Sequence, residues 1–454
     1  MATKKQDENK KKVTKKTSTT KKTTTAKKTA KKVEVVEEVK VNKEEKEDQL
    51  REKNNITSLI ELIGIIIAVI VILVFFPHTV VFNITVLLLM LSILIFVHEL
   101  GHFIAAKKFG VHVYEFAIGM GPLVFSFRRK NDPTLYSLRA FPIGGYNSIA
   151  GESYDDDDKI GKDKMLCYKP KWQRLIILFA GVFMNFVTAF ILLFAVGFTG
   201  VSDQNNIVAK VENGSPAQQA GIVAGDKILK VNDHKIDTWS YLAVVNILKT
   251  DSNEYTYVIE RKDGKQETVK ITPKDAIQDK DGNIYYIDDT NTEEKIISDH
   301  NLKKSDYEKT KIIGVYGDST VKYGLKTAFS YACKRFVTLF RTMILIVVSL
   351  FTGKVSINSL SGPVGMYTVV DSVAKVGFAN LVYLTAYLSL NLAVMNLLPI
   401  PAVDGGHIVF VLIEYITGKR VNERVEAIFH FVGFILLMLL MLYVLYNDIF
   451  KLIN

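Results

Sequence analysis

Hydrophobic residues in this chain are gathered into long blocks from which charged side chains are almost absent. The blocks run over residues 56–77, 80–97, 175–199, 381–398 and 427–446. A helix needs about 20 apolar residues to cross a hydrocarbon core about 30 Å thick. The pattern therefore predicts a polytopic α-helical membrane protein.

The segments between these blocks differ in character and divide the chain into regions. Short apolar runs separated by turn residues are typical of β-hairpins, and a later polar stretch has the strands and turns of a small mixed α/β module. In chain order we expect a Lys-rich disordered tail (1–55), an extra transmembrane helix (56–77), a transmembrane helix (80–106), a β-hairpin region (107–172), a transmembrane helix (173–199), the α/β module (203–318), an amphipathic or re-entrant helix (322–353), a transmembrane helix with the turn after it (379–418) and a last transmembrane helix (427–446).

The N-terminal tail is strongly basic. Residues 1–32 contain thirteen Lys and only two acidic residues, and they supply much of the net charge of +10. Such a composition cannot bury enough apolar surface to fold, so we expect disorder. Nucleic-acid binding is one explanation of the charge, but attraction to an anionic membrane surface is simpler. We therefore expect a cytoplasmic tail beside the lipid bilayer and no nucleic-acid partner.

Basic residues also predict the orientation of the helices, because they are enriched in cytoplasmic loops close to the membrane. Lys107 and Lys108 follow the second apolar block. The hairpin region, 107–172, should therefore be cytoplasmic or re-entrant, and the α/β module, 203–318, should be extracytoplasmic.

Residues 336–351 are the exception to this scheme. They are apolar apart from Arg341 and can also be read as a further crossing. A crossing there would place the end of the next helix on the outer side and separate two groups whose chemistry, given below, requires them to meet. We therefore expect an amphipathic or re-entrant helix against the outer face.

The chemistry begins with the sequence His98-Glu99-Leu100-Gly101-His102, which ends the second apolar block. Residues at i and i+4 share one face of a helix, so both imidazoles can bind one metal ion. Glu99 would lie beside the metal and accept a proton from water during peptide hydrolysis. The alternative is a helix whose His and Glu have no function, but ionisable groups within an apolar span are costly and usually mark function.

A catalytic zinc ion generally has three protein ligands. His112 and Glu115 are near in sequence but lie past the predicted cytoplasmic boundary, whereas Asp404 follows a predicted membrane helix at a matching depth. Asp404 lies in a segment rich in Pro and Gly, residues 396–407, which interrupts regular helix and allows close backbone approach. It is the better candidate for the third ligand; the alternative is an ordinary polar turn between helices.

These features together resemble the site-2 proteases, in the RseP-type branch that carries a PDZ domain. Residues 98–102 match the zinc motif of that family, and 396–406 are similar to its second motif, although Val403 stands where the family usually has Leu. The order of a hairpin, a helix, a PDZ-like domain and the sequence Ser-Gly-Pro-Val-Gly at 361–365 is also similar. The resemblance covers roughly residues 80–454.

The resemblance implies an intramembrane zinc metalloprotease with one zinc ion per chain. His98, His102 and Asp404 would bind the metal, and Glu99 would be the catalytic base. The fold implied is a polytopic α-helical membrane protein with an inserted PDZ-like α/β domain and a membrane-associated β-hairpin region.

The resemblance also implies that Asn391 and Asn396 help to bind and unwind the substrate helix, since side-chain amides can satisfy its freed backbone groups. Asn185 is assigned to substrate binding with them, although Val182 stands in its motif where the family commonly has Pro. Alternatively, such asparagines simply join membrane helices.

Further expectations follow from the family. The location is the bacterial plasma membrane, and the substrates are single-pass membrane proteins, such as anti-sigma factors or signal-peptide remnants, shortened first by an upstream site-1-type protease. The resemblance implies that the hairpin would present an edge to the extended substrate, with a purely structural hairpin as the alternative, and that the PDZ-like domain would bind peptide termini or act as a size filter.

Two other functions stay open at this stage. The first is a membrane metalloprotease that cleaves soluble chains at the membrane surface. The second is a non-catalytic PDZ scaffold or a transporter that retains the motif. The presence of all four residues, His98, Glu99, His102 and Asp404, argues against the second.

Overall fold

The computed structural model describes residues 60, 63–152, 160–202, 205–248, 254–279, 283–287, 291–302, 307–317 and 321–453. The predicted N-terminal tail, 1–55, lies outside these residues. Helices occupy α1 (Ile63–Phe75), α2 (Val80–Lys108), α3 (Lys171–Gly197), α4 (Pro216–Gln219), α5 (Trp239–Leu248), α6 (Glu293–Asp299), α7 (Leu325–Phe351), α8 (Pro363–Val376), α9 (Phe378–Leu397), α10 (Asp404–Thr417) and α11 (Glu423–Ile453).

Strands occupy β1 (Val113–Arg128), β2 (Leu135–Ile149), β3 (Val201–Ser202), β4 (Val208–Val211), β5 (Lys227–Val231), β6 (His234–Lys235), β7 (Tyr255–Glu260), β8 (Gln266–Ile271), β9 (Lys274–Asp279), β10 (Ile284–Tyr286), β11 (Tyr307–Ile312), β12 (Val315–Gly317) and β13 (Val321–Lys322).

Four helices of the described chain, α2, α3, α9 and α11, are long and apolar enough to cross a membrane, and α1 is a shorter apolar helix. Together with the β-rich region between α3 and α7, they make this a multi-pass membrane protein with an inserted β-containing domain. Helix α7 is not among the four.

The face of helix α2 that packs into the protein is defined by a stripe of buried residues. The hydroxyl of Thr79 accepts a hydrogen bond from the backbone N–H of Phe82 and caps the first turn. From there, buried residues recur every three or four positions and form one face of a helix; they are Asn83, Leu87, Met90, Leu94, His98, Gly101, His102 and Ala105. The two motif histidines therefore belong to the face that packs into the protein.

Helix α3 is the centre of the bundle and contacts α2, α7, α9 and α10. Leu193 of α3, Leu339 and Met343 of α7, and Leu390 of α9 are buried in one apolar cluster. Because α3 touches both α2 and α9, it fixes the distance between the motif helix and the turn that follows α9.

Strands β1 and β2 form a long, bent antiparallel hairpin in the predicted β-hairpin region. The first part of β1 pairs with residues 145–149 on one side and with 135–138 on the other. Segment 145–149 therefore forms one edge of the curled sheet. The hairpin is anchored by Glu115, which accepts hydrogen bonds from Ser137, Arg139 and Tyr146. Burial alone would raise the pKa of Glu115, but these hydrogen bonds outweigh it and hold the pKa below its usual value.

Residues 201–322 form the inserted α/β domain. Its largest sheet has the strand order β6-β5-β7-β8, and smaller sheets pair β4 with β12 and β9 with β10 and β11. Helix α7 lies against this domain: Thr338 is 3.0 Å from Thr238 through their hydroxyl oxygens, and Arg341 lies over the ring of Tyr241. The packing of α7 on the domain is consistent with its amphipathic sequence.

Helix α8 was not predicted from the hydrophobic pattern. Its N-terminus is held by Asp448 of α11, whose Oδ2 accepts hydrogen bonds from the backbone N–H groups of Gly362 (2.9 Å) and Gly365 (2.8 Å). These two groups belong to the free N–H donors of a helix start. Asp448 is thus a cap supplied from another helix, and it explains why the Ser-Gly-Pro-Val-Gly segment faces α11.

Candidate metal centre

His98, His102 and Asp404 meet inside the helix bundle. The Nε2 atoms of the two histidines are 3.2 Å apart, and Oδ2 of Asp404 lies 3.0 Å from His98 Nε2 and 3.4 Å from His102 Nε2. Both histidines are buried and Asp404 is half-buried. The helix spacing brings the two imidazoles together, and the break between α9 and α10 brings in the carboxylate.

This triangle has the dimensions of a zinc site. Ligand distances of about 2.0–2.1 Å in a tetrahedron give ligand–ligand separations of about 3.3 Å. Nδ1 of His102 lies 2.7 Å from the carbonyl oxygen of Ile177 and donates its proton there, so Nε2 presents a lone pair. Oδ2 of Asp404 is buried and accepts no hydrogen bond within the described part of the chain. Electron-rich atoms this close repel each other unless a cation lies between them, and two His and one carboxylate suit zinc.

Asn185 stands behind His98. Its side chain is fully buried on α3, and its Nδ2 is 3.1 Å from Nδ1 of His98, while its Oδ1 has no hydrogen-bond partner among the described residues. Turning the amide over would set Oδ1 against a protonated Nδ1 and leave Nε2 free for a metal. The hydroxyl of Ser389 fixes this part of α3 by donating to the carbonyl of Asn185 at 2.8 Å.

Two glycines allow α2 and α3 to approach closely enough for this arrangement. A Cβ at Gly101 would lie 2.3 Å from the carbonyl oxygen of Ala180, and one at Gly181 would lie 2.3 Å from Nε2 of His102. Neither position can hold a larger residue without moving a helix or an imidazole. Gly181 therefore shapes the floor of the metal centre.

Asp404 is presented by a tight turn. Two prolines interrupt the helix after Leu397, and α10 begins at Asp404 itself. A Cβ at Gly405 would lie 2.0 Å from the carbonyl oxygen of Leu398, so only glycine permits the chain to fold back there. This is the physical reason for the Asp-Gly sequence: the residue after the carboxylate lies against the end of the preceding helix.

Glu99 lines a cavity of about 200 Å³ beside the three candidate ligands. His102 and Asp404 form part of the wall of this cavity. The Cγ atom of Glu99 would lie 3.8 Å from a Cβ built at Gly145 in the hairpin. Glu99 therefore lies beside the candidate metal centre and close to segment 145–149 of the hairpin.

The amide residues predicted to bind substrate are placed differently from one another. Nδ2 of Asn396 lies 3.3 Å from Nε2 of His98. Asn391 is half-buried on the same helix, five residues earlier and about 140° around its axis. Among the described residues the amide of α9 that lies within hydrogen-bond distance of a motif histidine is that of Asn396. Asn185 lies beneath His98, a position that favours support of the ligand over contact with a substrate.

Asn147 is a polar residue of the cavity that sequence reasoning missed. It is buried on β2, and both its Oδ1 and its Nδ2 lack hydrogen-bond partners in the described chain. It lines the same cavity as Glu99. Alternation along β2 sets Asn147 on the face of Gly145, but an isolated Asn in a strand carries no motif that would have singled it out.

Comparisons with known proteins agree with this geometry. The model of peptidase family M50 matches residues 86–440. A Fusobacterium nucleatum protein provisionally named a zinc metalloprotease is 39% identical over 370 residues, covering 80% of this chain and 98% of that protein. Zinc metalloprotease RasP of Bacillus licheniformis is 30% identical, covering 80% and 98%. The regulator of sigma-W protease RasP of Bacillus subtilis is 29% identical, covering 80% and 97%.

The family match spans most of the chain and covers both segments that meet at the candidate metal centre. The chain therefore belongs to peptidase family M50, the site-2 protease family, and is a zinc metalloprotease.

Proposed function

We propose that this protein is an intramembrane endopeptidase that hydrolyses peptide bonds in the membrane-spanning segments of single-pass proteins. The observation that carries the proposal is the position of the metal centre on a membrane helix. His102 precedes the end of α2, Lys108, by six residues, which is about 9 Å along the helix axis. A substrate bond must reach that depth to be cut.

In this proposal His98, His102 and Asp404 hold the zinc ion. When bound, zinc polarises the scissile carbonyl and makes its bound water more acidic. The carboxylate of Glu99 would accept a proton from the attacking water and later donate it to the amine that leaves. Ile177 and Asn185 keep Nδ1 of the two histidines engaged, so that both Nε2 atoms stay directed at the metal.

Segment 145–149 would hold the substrate in an extended form. It pairs with β1 on one side and lies next to Glu99, so an unwound substrate can align along its other side. The unpartnered amide of Asn147 offers a donor and an acceptor to a substrate peptide group inside the cavity. Asn391 and Asn396 would bind the unwound part of the substrate helix from α9.

The name of the Bacillus subtilis relative supports anti-sigma factors as one substrate class, and signal-peptide remnants are a second. We place the hairpin on the cytoplasmic side of the plasma membrane and the α/β domain of 203–318 on the outer side, where a PDZ-like filter would reject long ectodomains. Substrates would then require an upstream site-1-type protease. Deleting 203–318 should allow cleavage of full-length substrates; continued rejection would contradict the filter.

The proposal is tested by mapping the cut. The purified full chain is reconstituted with a tagged single-pass reporter in bilayers, and the products are identified by mass spectrometry. We expect the new termini to fall within the apolar span of the reporter. Termini only in its soluble flanks would instead identify a metalloprotease that acts at the membrane surface.

A further inference from the structure

The turn that presents Asp404 has a strained backbone. Ala402 adopts a φ of 67°, the left-handed region, which costs a residue with a Cβ about 1 kcal/mol or more. Such conformations persist where the surroundings hold them in place. Here the backbone N–H of Ala402 donates a hydrogen bond of 3.0 Å to Nδ1 of His430, which belongs to α11.

Helix α11 also packs closely against this turn and against α10, and a glycine allows the close approach in each case: Gly433 in α11 and Gly406 in α10. A Cβ at Gly433 would lie 1.9 Å from Cβ of Pro401, and one at Gly406 would lie 3.0 Å from Cε1 of His430. The turn on one side of Asp404 and the first turn of α10 on the other are therefore both in contact with α11. Only 11% of the membrane-spanning window of α11 is buried within the protein, so few side chains of this helix pack inside the bundle.

A second histidine completes the contact. The ring of His407 is stacked on that of His430, with centroids 3.8 Å apart and planes inclined by 13°, and Nδ1 of His407 lies 3.4 Å from Oε1 of Glu426. Two histidines and a carboxylate this close also raise the question of a second metal site.

The geometry argues against a metal at this cluster. Because Nδ1 of His430 accepts the N–H of Ala402, the neutral ring carries its proton on Nε2 and has no lone pair left for a metal. The stacked rings also direct their in-plane nitrogen atoms along separate, nearly parallel planes, which one ion cannot satisfy. The cluster is instead a mechanical contact between α11 and the turn.

We propose that His430 is a positioning residue for the metal centre: by binding the N–H of Ala402, it holds the 401–403 turn so that the carboxylate of Asp404 faces His98 and His102. The proposal rests on the assignment of Asp404 as a zinc ligand in the proposed function. It makes the last membrane helix, which supplies no ligand, a determinant of zinc affinity. Outer contacts that orient metal ligands typically change metal affinity 10- to 100-fold when removed, so an effect of about that size is expected.

Two substitutions separate the hydrogen bond from the ring contact. His430→Phe keeps the volume and the stacking on His407 but removes the acceptor. His430→Asn removes the ring but sets Oδ1 about where Nδ1 stands. Leu439→Ala, at a side chain of α11 that is 55% exposed, is the control for a change in the same helix away from the turn.

Zinc affinity of the purified full chains is measured by competition with a chromogenic chelator, and cobalt substitution gives an absorption spectrum that reports ligand geometry. We expect about 10- to 100-fold weaker zinc binding and an altered cobalt spectrum for His430→Phe, and near wild-type values for His430→Asn and Leu439→Ala. Wild-type affinity in His430→Phe, or loss only in His430→Asn, would overturn the proposal.

Asp404→Ala, measured in the same way, separates this inference from the proposed function. If Asp404→Ala leaves zinc affinity unchanged, the ligand assignment itself fails. If Asp404→Ala weakens binding and His430→Phe does not, only the role of His430 fails.

Discussion

Gly181 offers a sensitive test of the candidate metal centre, because it is not itself a candidate ligand yet lies against His98 and His102. A methyl group at this position, as in Gly181→Ala, would lie 2.3 Å from Nε2 of His102 and 2.8 Å from Cε1 of His98. Unbonded heavy atoms normally stay about 3.5 Å or more apart. An imidazole must therefore move by roughly 1 Å, or α2 and α3 must separate.

The size of the expected loss in zinc affinity depends on whether the clash occurs in the zinc-free or the zinc-bound state. Without zinc the imidazoles can turn away from the added methyl group, whereas bound zinc requires both Nε2 atoms in place. Overpacking of this kind costs about 1–3 kcal/mol, and 1.4 kcal/mol corresponds to a tenfold change in affinity. We expect Gly181→Ala to weaken zinc binding about 5- to 150-fold, with peptidase activity at limiting zinc falling in parallel.

The assay is zinc competition against a chelator of known affinity, with the full chain in lipid nanodiscs. Gly64→Ala in α1 is the matched control, because it adds the same methyl group to a helix at a position with no heavy atom within 4 Å. Both variants gain the higher helix propensity of Ala, about 1 kcal/mol, so the difference between them isolates the clash. Equal zinc affinity in Gly181→Ala, Gly64→Ala and wild type would refute the geometry described for the centre.

Three other predictions test the cavity, the cofactor and the bundle. Asn147→Leu should lower kcat/KM for a membrane reporter about tenfold at unchanged zinc content, since one buried peptide contact is lost; unchanged kinetics would remove Asn147 from the substrate site. Removing zinc with a chelator should abolish cleavage, and one equivalent per chain, measured by elemental analysis, should restore it. Asp448→Ala should lower the free energy of unfolding by about 1.5–3 kcal/mol, measured by denaturation in mild detergent, because the N–H groups of Gly362 and Gly365 lose a charged acceptor; Tyr446→Ala, at a side chain 65% exposed, should have little effect.

How much of the site can be predicted from the sequence depends on how far apart in the chain the contacting residues lie. The pairing of His98 with His102 is local, since one helical turn sets it, and the apolar block around it predicts burial. Asp404 required a topological argument, in which the oriented ends of two membrane helices meet at one depth. The structure places Oδ2 of Asp404 within 3.4 Å of Nε2 of both histidines. A distance between residues so far apart in sequence cannot be predicted from a local sequence pattern.

Residues that act through tertiary contacts could not be predicted in the same way. The hydrogen bond from Ala402 to His430 depends on how α11 packs, and the cap that Asp448 gives to α8 joins segments far apart in sequence. Helix α8 itself is too short and too mixed in polarity for the hydrophobic pattern to mark it as a span. Asn147 becomes notable only once the curled hairpin sets its amide in the cavity beside Glu99.

The central claim is that Glu99 and the neighbouring zinc centre hydrolyse a peptide bond within the membrane. The most direct test compares the wild-type chain with Glu99→Gln on the same tagged single-pass reporter in the same bilayers, with zinc content measured for both. We predict that wild type cleaves the reporter within its apolar span, while Glu99→Gln retains zinc and cleaves at least about 100-fold more slowly, as expected for loss of a general base. Equal cleavage by both proteins would contradict the account.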